Sequence, residues 1–109
     1  MGKAEKAKGY RGECEVRDIL KAAGYGDAKR TPYSGALYWK GDIMDALPGF
    51  CIEVKRAERL QIPQWIRQTE EQAPEGDAPL LVFRQSNQPW RCVIDFDRFI
   101  ELVGKANAD

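Results

Sequence analysis

The segment GDIMDALPGFCIEVKR, residues 41–56, brings acidic and basic side chains close together. Glu53 and Lys55 lie two residues apart in FCIEVKR, whose alternation is typical of a β-strand, so both side chains are expected on one face of the sheet. Asp42 belongs to the preceding strand, and a turn at LPG would bring it beside Glu53. Two adjacent carboxylates repel and raise each other's pKa, which a proton or a divalent cation between them relieves.

These residue types fit metal-assisted hydrolysis of a phosphodiester. Mg²⁺ prefers carboxylate oxygens and retains several waters, and a metal-bound water loses a proton more readily and can attack phosphorus. Lys55 is a compact positive charge that would orient this water or stabilise the negative charge of the phosphorane. The E-x-K pattern alone leaves an alternative open, which is a solvated, cross-strand charged face of a sheet.

The chain contains no histidine, and its three widely spaced cysteines form no CxxC pair. The lack of histidine excludes Ser-His-Asp and Cys-His catalysis, histidine-ligated zinc and histidine general bases. The cysteine spacing argues against zinc ribbons and thioredoxin chemistry. An enzyme with this composition must use carboxylates, lysine, hydroxyls and a hard metal ion bound through oxygen.

Length and composition predict one globular domain. The 109 residues, of which 43% are hydrophobic, suit a single domain over 1–109, with residues 1–8 as a flexible basic arm. Seventeen basic and seventeen acidic residues cancel, so net charge gives no argument for nucleic acid, although it can hide a basic face. We expect no membrane partner and a cytoplasmic location, in the host cytoplasm if the protein is viral, because there is no long apolar run or signal peptide.

Periodicity along the chain predicts eight elements. ECEVRDILKAAGYG has helical spacing and ends at Gly24, and QIPQWIRQTEEQA is a second helix with Pro63 in its first turn. DRFIELV predicts a third helix, and five short apolar or alternating segments predict strands. The order α-β-β-β-α-β-β-α describes an α/β domain with a mixed central β-sheet flanked by helices.

The motifs stand in an order that resembles a known family. KGYRGE, RTPYS, KGDIM and IEVK supply, in that order, Glu13, Ser34, Asp42 and the pair Glu53 and Lys55. Together they resemble the PD-(D/E)xK nuclease superfamily and, within it, the archaeal-type Holliday junction resolvases and their phage relatives. The likeness runs over residues 8–96, and Gly41 stands where many members have proline before the aspartate.

The resemblance implies a restriction-endonuclease-like fold and a metal-dependent, structure-selective DNA endonuclease that resolves four-way junctions. It implies Mg²⁺, with Mn²⁺ as a possible substitute. The implied metal ligands are the carboxylates of Glu13, Asp42 and Glu53 and the carbonyl of Val54. It implies further that Lys55 positions the attacking water and that Ser34 contacts the region of the scissile phosphate.

Several basic and polar side chains are candidates for DNA contacts. Basic groups near phosphates make binding fall with salt, and the loop before Asp42 could contact phosphate or be an ordinary surface loop. Glutamines on the second helix could reach the backbone or a base, or could be inert. The candidates are Lys8, Arg11, Lys29, Arg30, Tyr33, Ser34, Arg56, Gln64 and Gln68.

The resemblance also implies a homodimer, because a four-way junction has two symmetric strands to cut and an isologous interface provides two related sites. The apolar C-terminal part is expected to contribute to that interface, with simple core packing as the alternative; it includes Trp90, Val93, Phe96, Phe99 and Ile100. Two other functions stay open. One is a small superfamily nuclease acting on duplex or flap DNA, and the other is a module that binds branched DNA without cutting it.

Overall fold

The computed structural model describes residues 3–32 and 41–108, and the side chains from residue 7 onward. The predicted order of elements is confirmed. The elements are α1 (Lys3–Ala22), β1 (Lys29–Arg30), β2 (Ile43–Met44), β3 (Phe50–Arg56), α2 (Ile62–Gln72), β4 (Ala78–Arg84), β5 (Arg91–Ile94) and α3 (Phe96–Ala108).

The five strands form one mixed sheet in the order β1-β2-β3-β4-β5. Strands β1 to β3 are antiparallel neighbours, β3 and β4 are parallel, and β5 is antiparallel to β4. A parallel pair needs a long crossover, which α2 supplies between β3 and β4. The result is the predicted α/β architecture, and it is consistent with a restriction-endonuclease-like fold.

Each face of the sheet carries its own apolar cluster. On one face, Val16 of α1 packs with Ile52, Val54 and Leu80. On the other face, Trp65 of α2 packs with alternate residues of β4, among them Leu81 and Phe83. The side-chain alternation of β3 and β4 therefore separates the two helices onto opposite faces.

Helix α1 starts earlier than expected. It begins at Lys3, so residues 3–8, expected as part of a flexible arm, are helical, which suits the strong helix formers in KAEKAK. Its end agrees with the prediction. Gly24 has a φ of +110°, its N–H donates to Lys21 O at 3.1 Å, and the N–H of Tyr25 donates to Leu20 O at 3.0 Å, which is the Schellman pattern.

A charged cluster around Glu15 fixes α1 to the far strands of the sheet. Arg84 of β4 donates to Glu15 Oε1 at 2.6 Å, and the indole N–H of Trp90 donates to the same oxygen at 3.1 Å. Arg56 at the end of β3 lies 3.8 Å from the other carboxylate oxygen. These contacts set the position of α1 over β3, and therefore the position of Glu13, which lies two residues before Glu15.

Helix α3 is amphipathic, and none of its residues is buried. Phe96, Phe99 and Ile100 are exposed large hydrophobic side chains. Trp90 and Val93 pack against the two apolar clusters instead. In the part of the chain that the structure describes, no helix is long and apolar enough to cross a bilayer.

Candidate active site

A cleft of about 430 Å³ lies beside the second half of β3, between α1 and α2. Its walls include the four predicted catalytic residues within the described ranges, which are Glu13, Asp42, Glu53 and Lys55, together with Val54. These residues come from α1, from the segment before β2, and from β3. The fold therefore brings together positions that are up to 42 residues apart in sequence (13 to 55).

Strand pairing places Asp42 opposite Glu53. Strands β2 and β3 are antiparallel, with Ile43 opposite Ile52, so the preceding residue of one strand faces the following residue of the other. The N–H of Asp42 donates to Ile52 O at 2.7 Å, and the N–H of Val54 donates to Asp42 Oδ2 at 2.8 Å. The predicted juxtaposition of the two carboxylates is present.

Gly41 has a conformation that requires glycine. Its φ is +92°, and a Cβ atom there would lie 2.8 Å from Ile52 O and 3.0 Å from Cys51 Sγ. Proline, which many members of the resembled family have at this position, is locked near a φ of −65°. The backbone before Asp42 therefore approaches β3 so closely that neither proline nor a residue with a Cβ fits.

The paired carboxylates have raised pKa values. Burial, followed by the charge of Glu53, raises the pKa of Asp42 to about 7, and the hydrogen bond from Val54 N–H opposes the rise only in part. The pKa of Glu53 is also raised, chiefly by burial and further by the charge of Glu13, while Lys55 opposes the rise. The metal-free cleft therefore disfavours two ionised carboxylates side by side.

Lys55 and Glu53 form a loose ion pair in the cleft. Lys55 Nζ lies 3.7 Å from Glu53 Oε1. Glu53 Oε2 is buried and has no hydrogen-bond partner in the described part of the chain. A buried carboxylate oxygen without a partner is costly, so this oxygen favours binding of a cation or a proton.

Glu13 reaches the cleft from α1 and is held by Arg30. The Nε and Nη2 atoms of Arg30 both lie 3.0 Å from Glu13 Oε1. Burial and the charge of Asp42 raise the pKa of Glu13, and Arg30 opposes the rise. Glu13 is thus close enough to Asp42 for the charge of Asp42 to raise its pKa. The carboxylate of Glu13 is at the same time paired with the guanidinium of Arg30.

The donor set fits a Mg²⁺-type site that the substrate would complete. Among residues 3–32 and 41–108, no group of three or more acidic, cysteine or histidine side chains is arranged to hold a metal ion. Mg²⁺ does not need such a cage, since it commonly binds through one or two carboxylates, several waters and substrate phosphates. Asp42 and Glu53 supply these carboxylates, and Glu53 Oε2, which has no partner among the described residues, can accept a bond to the cation.

The predicted DNA contacts are divided between the cleft and the surface. Arg56 and Gln68 line the cleft, whereas Gln64 is exposed on α2 and is absent from its walls. Lys8 lies near the cleft on α1 and pairs with Glu58 at 2.8 Å. Arg11 is exposed and has no ion pair within the described ranges.

Three other predicted DNA contacts are Lys29, Tyr33 and Ser34. Lys29 lies 3.4 Å from Asp45 and lines a second cavity, of about 770 Å³, beside Phe50 at the other end of β3. Tyr33 and Ser34 lie outside the described residues.

Sequence reasoning missed Gln72 as a wall residue of the cleft. It follows Gln68 by four residues on α2, which places both side chains on one face of the helix. The same spacing rule that suggested Gln64 and Gln68 could have suggested Gln68 and Gln72. Gln68 and Gln72 line the cleft, and Gln64 does not, because the C-terminal half of α2 lies beside β3. The spacing of the glutamines alone does not predict this position.

A comparison with protein families agrees with this geometry. The model of the family described as "Phage putative PDDEXK endonuclease" matches residues 4–109. Searches of the curated proteins and of the solved structures found no match. The matched region contains every element of the sheet and every predicted catalytic residue. The chain therefore belongs to this phage PDDEXK endonuclease family, within the PD-(D/E)xK nuclease superfamily that its motifs resemble.

Proposed function

We propose that the protein is a metal-dependent DNA endonuclease that hydrolyses phosphodiester bonds in branched DNA, with the four-way junction as its substrate. The observation that carries the chemistry is the pair formed by the buried Glu53 and the half-buried Asp42, with Lys55 beside it, in an open cleft. The motif order that resembles the junction resolvases supports the choice of substrate. Family membership supports nuclease activity itself.

The charged residues of the cleft have defined roles in this proposal. Asp42 and Glu53 would hold Mg²⁺, with the Val54 carbonyl as a further ligand, and the ion would supply an acidified water and neutralise charge on the phosphate. Lys55 would hold the attacking water and stabilise negative charge as it develops. Glu13 would contribute from α1, directly or through water, and Arg56 at the cleft wall would bind phosphate.

The complete set of catalytic residues argues against a module that only binds DNA. A nuclease fold that has lost its activity has no need to retain two neighbouring carboxylates whose charges repel. Here Asp42, Glu53 and Lys55 are all present and line one cleft. Two neighbouring carboxylates lower the free energy of unfolding, and the binding of a cation during catalysis explains why both are present.

Cleavage of a matched set of labelled DNAs tests the substrate. A four-way junction, a flap and a linear duplex of the same sequence would be incubated with the protein in Mg²⁺. We expect junction cleavage at least about tenfold faster than duplex cleavage, a difference of about 1.4 kcal/mol in transition-state binding. Equal rates on the junction and the linear duplex would contradict the proposed substrate and leave a less selective nuclease.

We also propose that two copies associate through α3. This helix exposes five large hydrophobic side chains, which are Phe96, Phe99, Ile100, Leu102 and Val103. Four of them, at residues 96, 99, 100 and 103, follow the i, i+3, i+4, i+7 spacing of one helix face. A face of this kind that buries about 500 Å² on each copy would give an interface of about 1,000 Å² in total, the lower limit for a specific interface, so a second copy suffices as the partner.

Light scattering over a concentration series tests this association. We expect the wild type to approach twice the chain mass at concentrations of about 10–100 μM, as an interface of this size suggests. Phe99→Glu should remain at one chain mass, because it places a charge in the seam. Ile19→Glu, at an equally exposed position on α1, is the control and should behave as wild type. A wild-type protein that stays at one chain mass throughout would contradict the proposal.

A further inference from the structure

An exposed tyrosine lies at the rim of the cleft. Tyr10 precedes Glu13 by three residues, so the two side chains lie on neighbouring parts of the surface of α1. The side chain of Tyr10 is 55% exposed. Its neighbour Gly9 lines the cleft, as does Glu13, and within the described ranges a Cβ atom added at Gly9 would meet nothing within 4 Å. Tyr10 therefore lies beside two residues of the cleft wall.

The tyrosine ring is held in place by a residue of the site. The guanidinium carbon of Arg30 lies 4.4 Å from the centre of the Tyr10 ring, a distance at which a cation–π interaction is favourable. The same guanidinium is bonded to Glu13. Tyr10, Arg30 and Glu13 thus form one connected unit, which favours a position of the ring beside the cleft.

Other exposed aromatic residues lack this arrangement. Tyr25, just beyond the other end of α1, is also exposed, but within the described ranges only Tyr10 has a cation over its ring. An exposed tyrosine by itself is ordinary. An exposed aromatic ring with a guanidinium over it, next to a candidate phosphodiester site, is the combination that single-stranded nucleic-acid sites use.

We propose that Tyr10 is a stacking platform for one unpaired nucleobase next to the scissile phosphate. Every base has a π-face, so stacking on a tyrosine tolerates any sequence. In a continuous duplex both faces of each base are covered by neighbouring base pairs, so only an unstacked nucleotide can use the platform. Nucleotides of this kind occur at branch points and flaps. The inference rests on the proposed function, which gives the location of the scissile phosphate. It adds that the substrate has an unpaired nucleobase next to this phosphate.

Binding of a fluorescent base analogue tests the platform without any cleavage. A flap oligonucleotide with 2-aminopurine at its first unpaired position, and a fully paired duplex with the same analogue, would be titrated with protein in chelator. We expect Tyr10→Ala to weaken flap binding roughly 5- to 100-fold and to abolish quenching of the analogue. Duplex binding should change less than about twofold. Tyr10→Phe should retain both binding and quenching, because it keeps the ring.

The matched control is Tyr25→Ala, which removes an exposed tyrosine outside the cleft and should leave flap binding unchanged. The platform is refuted if the wild type does not bind the flap, if Tyr10→Ala binds it as the wild type does, or if Tyr10→Ala weakens flap and duplex equally. A different result, the absence of metal-dependent cleavage, would contradict the proposed function. A protein that quenches the fluorescence of the flap probe through Tyr10 but cuts no DNA would support the stacking platform and contradict the nuclease function.

Discussion

Replacing Glu53 with glutamine is expected to lower the rate of DNA cleavage by at least about a thousandfold, which corresponds to about 4 kcal/mol of transition-state stabilisation. Glu53 is buried and its Oε2 has no partner within the described ranges, so its charge is the group that a cation would bind. Glutamine has nearly the same shape, so packing around β3 persists while the charge is lost. DNA binding, measured by fluorescence anisotropy in chelator, should change only a few-fold.

Glu70→Gln is the matched control for this variant. Glu70 is exposed on α2 and is absent from the walls of the cleft, so its replacement should leave both cleavage and binding unchanged. Cleavage by Glu53→Gln at the wild-type rate in Mg²⁺ would show that the site has been misassigned. Loss of DNA binding together with cleavage would indicate damage to the fold, which circular dichroism and thermal unfolding would reveal.

Replacing Asp42 with asparagine is expected to stabilise the metal-free protein at neutral and alkaline pH while abolishing cleavage. The pKa of Asp42 is raised to about 7, first by burial and then by the charge of Glu53. The folded state therefore holds a proton that the unfolded chain releases near pH 4. Asparagine is neutral at every pH, its oxygen can still accept the N–H of Val54, and its amide can donate to Glu53.

The sign of the pH dependence follows from proton binding. Between about pH 4 and pH 7 the folded wild type binds more protons than the unfolded chain, so its free energy of unfolding falls as pH rises through this window. A pKa of about 7 for Asp42, against an ordinary value near 4, corresponds to about 4 kcal/mol, and sharing of a proton with Glu53 reduces this. We expect Asp42→Asn to be more stable than wild type by roughly 2–4 kcal/mol at pH 8 and by little at pH 4.

Urea unfolding in chelator at several pH values between 4 and 8.5 measures this difference. Asp45→Asn is the control, since Asp45 is an exposed carboxylate three residues away that pairs only with Lys29 among the described residues. Its stability should follow the wild-type curve. Added Mg²⁺ should stabilise the wild type at pH 8 and leave Asp42→Asn nearly unchanged. An Asp42→Asn protein less stable than wild type at pH 8 would contradict the burial of two repelling carboxylates.

Local patterns in the sequence predicted the parts of the site that depend on local geometry. Strand alternation put Glu53 and Lys55 on one face of β3, and the short connection after β2 put Asp42 opposite Glu53. Both follow from the two-residue period of a strand and from antiparallel register. The burial of Trp65 and Thr69, four residues apart on α2, likewise follows the helical period.

Contacts between distant elements could not be predicted in this way. The cluster of Glu15 with Arg84 and Trp90 joins residues 69 and 75 positions apart, and no periodicity reports such a separation. The pairing of Arg30 with Glu13 and Tyr10 likewise depends on how α1 crosses the sheet. The exposure of α3 could not be predicted either, because an amphipathic pattern indicates an apolar face but not which part of the protein covers this face.

Strand cleavage of a labelled four-way junction, with and without chelator, tests the central claim most directly when the wild type and Asp42→Asn are compared side by side. The claim is that Asp42 and Glu53 form a metal-dependent phosphodiesterase site. It predicts cleavage by the wild type in Mg²⁺, none in chelator, and at least about a thousandfold less by Asp42→Asn in Mg²⁺. Cleavage that persists in chelator, or that Asp42→Asn carries out at the wild-type rate, would contradict it.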